Sequence, residues 1–192
     1  KNRGGSDSSF QALIPYIFPE GKTTIDLSKD YVQVYNVTNR SADLTITSIQ
    51  KFLDNVDDQQ IIRNAQTYID LWDKNRGKGF MTFDNDLNPE PYPIEGKATP
   101  KHVVVLGDVY CGSAGDIFVE LSKLSEKVTI LGRGTAGVND YSNLVPMTWD
   151  NQFELMYPTS KLKRIDEGKG MTGIGILPDV HIPWTPEHLE RD

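Results

Sequence analysis

The sequence predicts an α/β fold, and three stretches carry that prediction. Val103-Val104-Val105-Leu106 is a continuous apolar run between Pro100 and Gly107, the length and composition of a strand buried on both faces. Val128-Thr129-Ile130-Leu131 is a second such run. Between them, residues 113–124 set Ile117, Phe118, Leu121 and Leu124 on one helical face. A strand, a helix and a parallel strand in that order form a right-handed crossover unit. The 192 residues suffice for one core, and 38% hydrophobic against 24% charged residues is the balance of a folded chain rather than a disordered one.

The remaining elements follow in order. Residues 1–7 form a Gly- and Ser-rich turn. Ser8 or Ser9 caps a short apolar helix through Phe10, Leu13, Ile14, Ile17 and Phe18, shortened or kinked by Pro15 and stopped by Pro19 and Gly21. Tyr31 to Val37 is β-branched and aromatic and predicts a strand; Leu44-Thr45-Ile46 is a weaker one. Asp57 or Asp58 opens a helix whose Ile61, Ile62, Ala65, Ile69 and Leu71-Trp72 recur at helical spacing, with Tyr68 on its flank and Gly77 and Gly79 at its end. Residues 84–100 carry Pro89, Pro91, Pro93 and Pro100 and read as loop. Two strands are expected near 143–149 and 152–157. A Gly-rich loop and a last short strand over 174–182 complete the chain.

Composition excludes several function classes. No apolar run approaches the roughly 20 residues of a membrane-spanning helix. Nor does the apolar core of a signal peptide follow the opening Lys1-Asn2-Arg3-Gly4-Gly5. The net charge is −7 and no Lys/Arg block suggests a nucleic-acid footprint. The single cysteine, Cys111, rules out an internal disulfide and reads as a buried small residue. His102, His181 and His188 show no metal-ligand spacing, so neither metal nor cofactor is expected. Gly132-x-Gly134-x-x-Gly137 matches a dinucleotide fingerprint, but Val138 to Asn143 is loop-like where a helix is required. Ser160-x-x-Lys163 lies in a charged stretch with no apolar helix behind it. The segment Lys161 to Arg164, balanced by Asp166 and Glu167, reads as a solvated loop.

The turn Gly107 to Asp116 joins the first buried strand to its helix and crowds small residues around Ser113. Such a turn projects a hydroxyl from the sheet edge and lets a peptide backbone approach. It also sets the Ala114 N–H at a helix N-terminus, where it can donate to a developing oxyanion. By spacing alone the simpler reading of Ser113 is a helix N-cap, with Asp116 serving the helix dipole.

Four motifs in order point further. Gly112-Ser113-Ala114-Gly115-Asp116-Ile117-Phe118, Gly132-Arg133-Gly134-Thr135-Ala136-Gly137 and Gly175-Ile176-Leu177-Pro178-Asp179-Val180 resemble the motifs of the tail-specific (C-terminal processing) serine peptidases and their tricorn-core relatives. Asn2-Arg3-Gly4-Gly5 resembles the end of that family's D-x-R-x-N-x-G-G motif. The resemblance covers residues 1–20 and about 100–183; residues 38–98 have no counterpart and read as an insertion into a single domain spanning 1–192. It implies a crotonase-like sheet-and-helix fold, Ser113 as nucleophile, the Ala114 amide as half of an oxyanion hole, and Gly4 or Gly5 as the other half. The implied function is a serine endopeptidase that forms an acyl-enzyme with unfolded or C-terminally exposed polypeptide. Substrate would lie as an extended strand along a sheet edge. Extracytoplasmic or bacterial placement follows from the same resemblance, and an oligomer stays open.

Two positions depart from the pattern. The lysine that many members place after G-x-x-T-x-G is Val138 here, and the acidic position before G-V-x-P-D is Thr172. The tricorn-like branch instead draws a histidine from an earlier part of the chain. That histidine would lie before Lys1, since the chain opens inside a family motif, so the 192 residues alone are expected to be inactive or nearly so. Two rival classes remain: a catalytically silent module of the same fold gripping a peptide or apolar ligand, and a crotonase-type acyl-thioester enzyme. The second needs no serine at this place and no Pro-Asp ending.

Overall fold

The computed structural model describes residues 3–6, 8–26, 30–83 and 91–189. In chain order its elements are α1 (Ser8–Gln11), α2 (Ile14–Ile17), β1 (Gly21–Ile25), β2 (Gln33–Val37), α3 (Asn39–Leu53), α4 (Gln59–Lys74), β3 (Gly79–Met81) and β4 (Tyr92–Gly96). There follow β5 (Val103–Gly107), α5 (Ala114–Lys123), β6 (Val128–Gly132), β7 (Tyr141–Trp149), β8 (Phe153–Leu162), a 3₁₀ turn (Lys163–Ile165), β9 (Val180–His181) and α6 (Pro186–Leu189). The chain divides into two compact units. One holds residues 1–27, 89–140 and 169–192; the other holds 28–88 and 141–168.

The first unit is built on the expected crossover. β5 and β6 pair in parallel from Val103↔Val128 to Gly107↔Gly132, and β9 adds to β6 at Leu131↔Val180. An antiparallel pair, β1 with β4, lies in the same unit. Its core gathers Phe10, Ile14, Ile17, Phe18, Ile25, Ile94 and Ala114, with Ile117, Phe118 and Leu121 of α5 packed against them. Pro15 sits in the first turn of α2, where its missing N–H costs nothing, and this separates α1 from α2. Lys127 is buried and its Nζ donates to the Phe18 and Lys97 carbonyls at 3.2 and 2.8 Å. Ser125 Oγ donates to the Ile17 carbonyl, so α2 is pinned to the entry of β6.

The second unit is a four-stranded antiparallel sheet in the order β3-β2-β8-β7 with α3 and α4. Thr38 and Asp58 cap the two helices in ordinary extended backbone, each side chain accepting a first-turn N–H. Tyr35, Tyr68, Trp72 and Phe83 form a cluster in which Tyr35 stacks on Phe83 at 4.4 Å between ring centroids. Burial pushes the Tyr35 and Tyr68 phenols up.

Several sequence expectations are corrected. β5 is not buried on both faces: Val104 and Leu106 are 51% and 76% exposed, because only one face of the strand meets α5 and the core. Leu124 is likewise exposed, as the C-cap of α5, and Val119 takes its place inside. Leu44-Thr45-Ile46 lies within α3; there Thr45 and Ile46 are buried on the helix's inner face. Part of the proline-rich stretch is strand, β4, with Pro93 opposite Thr24 on β1; residues 84–90 lie outside the described residues. Only Val180 and His181 of the expected last strand pair. The stretch from Lys161 to Arg164 is not a solvated loop: β8 runs to Leu162, and buried Arg164 stacks its guanidinium 5.2 Å from the Tyr31 ring.

Candidate active site

The turn after β5 is constructed locally. Asp108 Oδ1 accepts the Tyr110 N–H at 2.9 Å and its carbonyl accepts the Cys111 N–H, which reverses the chain at the strand end. Ser113 then stands one residue before α5 at φ 55° and ψ −116°. An ordinary N-cap has extended dihedrals, as Thr38 does at φ −72° and ψ 161°. Ser113 departs from that pattern in its backbone, yet it holds the N-cap place of α5 in a capping box with Asp116, three residues on. The cap reading therefore stands, with a backbone that an ordinary cap does not need. A non-glycine residue at such dihedrals stores about 1–3 kcal/mol of strain and persists only where its surroundings impose it.

Asp116 imposes it. Its side chain is 0% exposed and accepts three backbone N–H groups: Ser113 at 2.8 Å, Val138 at 3.0 Å and Gly137 at 3.1 Å. Each hydrogen bond to a charged group contributes about 1.5–3 kcal/mol, enough in sum to outweigh the strain at Ser113. The sequence reading gave Asp116 to the helix dipole and missed this network. A carboxylate three residues after a serine cap, followed far along the chain by a Gly-rich loop, is the signal that was available.

The loop 133–138 is fastened on every side. Thr135 Oγ1 accepts the Ile176 N–H at 2.9 Å, the Ile176 carbonyl accepts the Thr135 N–H, and the Cys111 carbonyl accepts the Ala136 N–H at 2.6 Å. Gly137 has φ +65°, and a Cβ there would stand 2.4 Å from the Met171 carbonyl oxygen and 2.8 Å from the Gly175 Cα. Only glycine permits that approach. The second and third motifs are thus one backbone-bonded unit set against the Ser113 turn. Val138 belongs to the same surface: its Cγ2 lies 3.0 Å from where a Gly112 Cβ would be. Thr172 is joined to Asp140 rather than to Ser113. The buried Asp140 Oδ2 accepts the Met171 and Thr172 N–H groups at 2.6 and 2.7 Å and the Thr172 hydroxyl at 2.8 Å.

Gly4 and Gly5 separate in space. Gly4, at φ +115°, lies directly against Ser113: a Cβ on it would meet Ser113 Cβ at 2.9 Å and Ser113 Oγ at 3.4 Å. Gly5 has nothing within 4 Å of its own Cβ position. Arg3 places its guanidinium 5.4 Å from the Tyr110 ring, tying this segment to the turn. Asn2, the first residue of that motif, lies outside the described residues. The Ala114 N–H opens α5 among the helix's unpaired first-turn donors.

The other candidates are spread over both ends of the sheet. His102 precedes β5 at the end opposite Ser113, 3.1 Å from the Thr129 hydroxyl, whereas His181 pairs in β9 with Gly132, which pairs in turn with Gly107 at the sheet end where the Ser113 turn begins. His188 lies in α6. Burial first, then the Asp116 and Asp108 carboxylates, push the Cys111 thiol up, which keeps it protonated at neutral pH and a poor nucleophile. No group of three or more His, Cys, Asp or Glu side chains that could hold a metal occurs among the described residues. Nor is any helix of the described residues long and apolar enough to cross a membrane. Beside Cys111 and Gly115 opens a cleft of about 560 Å³, walled by Phe10, Leu106, Phe118 and Leu131 and edged by Asp108 and Arg133.

Comparison with known proteins matches residues 1–182 to peptidase family S41. A curated relative, the tricorn protease homolog of Saccharolobus solfataricus, is 28% identical over 109 residues, 55% of this chain and 10% of the relative. Among solved structures, mature CPAF complexed with lactacystin superposes with a TM-score of 0.50 at 17% identity, over 96% of this chain and 38% of that one. A peptidase of Parabacteroides merdae gives 0.40 at 20% identity, over 61% and 35% of the two chains. The chain thus spans a tenth of the curated relative and under two fifths of these solved chains. With a family match over nearly its whole length and the family's motifs folded around one turn, the chain belongs to peptidase family S41.

Proposed function

We propose that this chain is the nucleophile-bearing part of a serine endopeptidase and that Ser113 attacks the scissile carbonyl. The observation that carries the reading is the backbone of Ser113: at φ 55° and ψ −116° it departs from ordinary cap dihedrals at the turn between β5 and α5, directly against Gly4. Attack forms an Oγ–C bond, and the resulting oxyanion accepts the Ala114 N–H and an N–H of the Gly4 segment. Of the two glycines, Gly4 is favoured by its contact with Ser113. Collapse of the intermediate expels the amine and leaves an acyl-serine that water hydrolyses.

The proton acceptor for Ser113 is a histidine outside residues 1–192, as in the tricorn-like branch. Val138 stands where a lysine would serve, and Ser113 has no hydrogen-bonded base among the described residues. The fold is the crotonase-like one of the resemblance. Substrate is unfolded or C-terminally exposed polypeptide laid as an extended strand, with one side chain in the cleft beside Cys111. The resemblance to tail-specific peptidases also supports an extracytoplasmic place of action.

Val138 favours one competing reading, a silent peptide-binding module. Fluorophosphonate labelling of the full-length protein separates the two. Label on Ser113, lost in Ser113→Ala, is the expected result; an unlabelled Ser113 in the folded full-length protein overturns the peptidase reading.

A further inference from the structure

We propose that Asp116 is the positioning residue of the Ser113 centre: one buried carboxylate that locks the nucleophile turn and the Gly137–Val138 loop into a single register. The inference rests on the peptidase reading above.

The geometry separates this role from a helix-dipole role. A dipole partner needs only to be near the first turn. Asp116 instead divides its two oxygens between different parts of the chain. Oδ2 takes the Ser113 and Val138 amides and Oδ1 takes the Gly137 amide, 21 residues away in sequence. The carboxylate has no exposure, so all three donors are oriented by a group that solvent cannot displace. Its first partner is the amide of the strained serine itself. Without that bond Ser113 is free to relax toward the extended dihedrals of an ordinary cap, which shifts its side chain relative to Gly4. Its other partners are the Gly137 amide and that of Val138, whose side chain packs on Gly112, so the loop beside the serine turn moves with it.

Asp179 supplies the control. It is also a carboxylate taking a backbone N–H, that of Ile130 at 2.8 Å, but it braces β6 and Lys123 rather than the Ser113 turn. In the full-length protein, Asp116→Asn is expected to lower kcat and the rate of fluorophosphonate labelling about 100-fold with KM within about threefold. Asp116→Glu, which keeps the charge, is expected to recover to within about tenfold of wild type, and Asp179→Asn to lose stability with kcat within about twofold. Labelling of folded Asp116→Asn at the wild-type rate overturns the proposal while leaving the peptidase reading intact. A wild-type Ser113 that does not label overturns both. Should Asp116→Asn fail to fold, amide exchange in the wild type decides: Ser113, Gly137 and Val138 are expected to share one protection level, and a Val138 amide exchanging at the unprotected rate overturns the proposal.

Discussion

At Ser113 two roles for a serine meet at one position, and the backbone dihedrals set it apart from an ordinary cap. Thr38 and Asp58 show an ordinary cap in this chain; Ser113 shares the cap place but not their extended backbone. Gly4 is the tightest neighbour of that serine. Gly4→Ala would place a methyl 2.9 Å from Ser113 Cβ at φ +115°, so either the glycine segment or the serine must move. The expected outcome in the full-length protein is a loss of kcat of about 10²–10³, as for removal of one oxyanion donor. The thermal midpoint should fall by only a few degrees; kinetics and melting on one sample check both. Val138 offers the converse change. Val138→Lys sets an amine beside Gly112, and labelling of Ser113 in the 192-residue chain is expected to rise at least tenfold, within the ~10²–10⁴ range of general-base assistance. An unchanged labelling rate would show that position 138 cannot reach the serine.

At the scale of elements, β6 is held to its neighbours by a side chain as much as by its ladder. Asp179 N–H donates to the Ile130 carbonyl and its carboxylate accepts the Ile130 N–H, while Lys123 of α5 approaches to 3.2 Å. The Ile130 N–H first, then Lys123, hold the Asp179 carboxyl below the usual range. A depressed folded value means the stabilisation is complete above the unfolded value of about 3.9 and is lost as pH falls through the lower folded one. Asp179→Asn is therefore expected to lower the midpoint at pH 7 and to converge on wild type in strong acid; a gap that persists in strong acid would refute the assignment. Elements whose pattern named a single partner face were legible in the sequence, as α4 was from Ile69 and Trp72. Leu44-Thr45-Ile46 was not, because three β-prone residues carry no period; the Thr38 cap and the inner face of α3 decided for helix.

On the scale of the molecule, the chain passes between its two units four times, after Leu27, Asn88, Asp140 and Gly168. Each unit has its own buried cluster, Phe10 to Ala114 in one and Tyr35 to Phe83 in the other. Trp72 is 0% exposed at the centre of the aromatic cluster, and Trp72→Ala is expected to cost about 3–5 kcal/mol. Amide exchange should show that loss in β2 and β8 before it reaches β5 and β6; equal loss in all four strands would mean that the two cores unfold as one. The noncontiguous second unit could not be read from the sequence. The segment 38–98 stood out there as unmatched, but β7 and β8, with which part of it packs, come from beyond the nucleophile turn.

The sequence by itself determined the crossover of β5, α5 and β6, the family, and the ordered motifs around Ser113, because these rest on short-range periodicity and on residue types at fixed spacing. Tertiary structure alone decided how those motifs meet. Gly4 rather than Gly5 touches the serine, Thr172 binds Asp140, and Asp116 reaches the loop at Gly137 and Val138. The physical reason is that a buried carboxylate is satisfied by whichever amides the fold delivers to it, and those amides are 21 and 22 residues away along the chain.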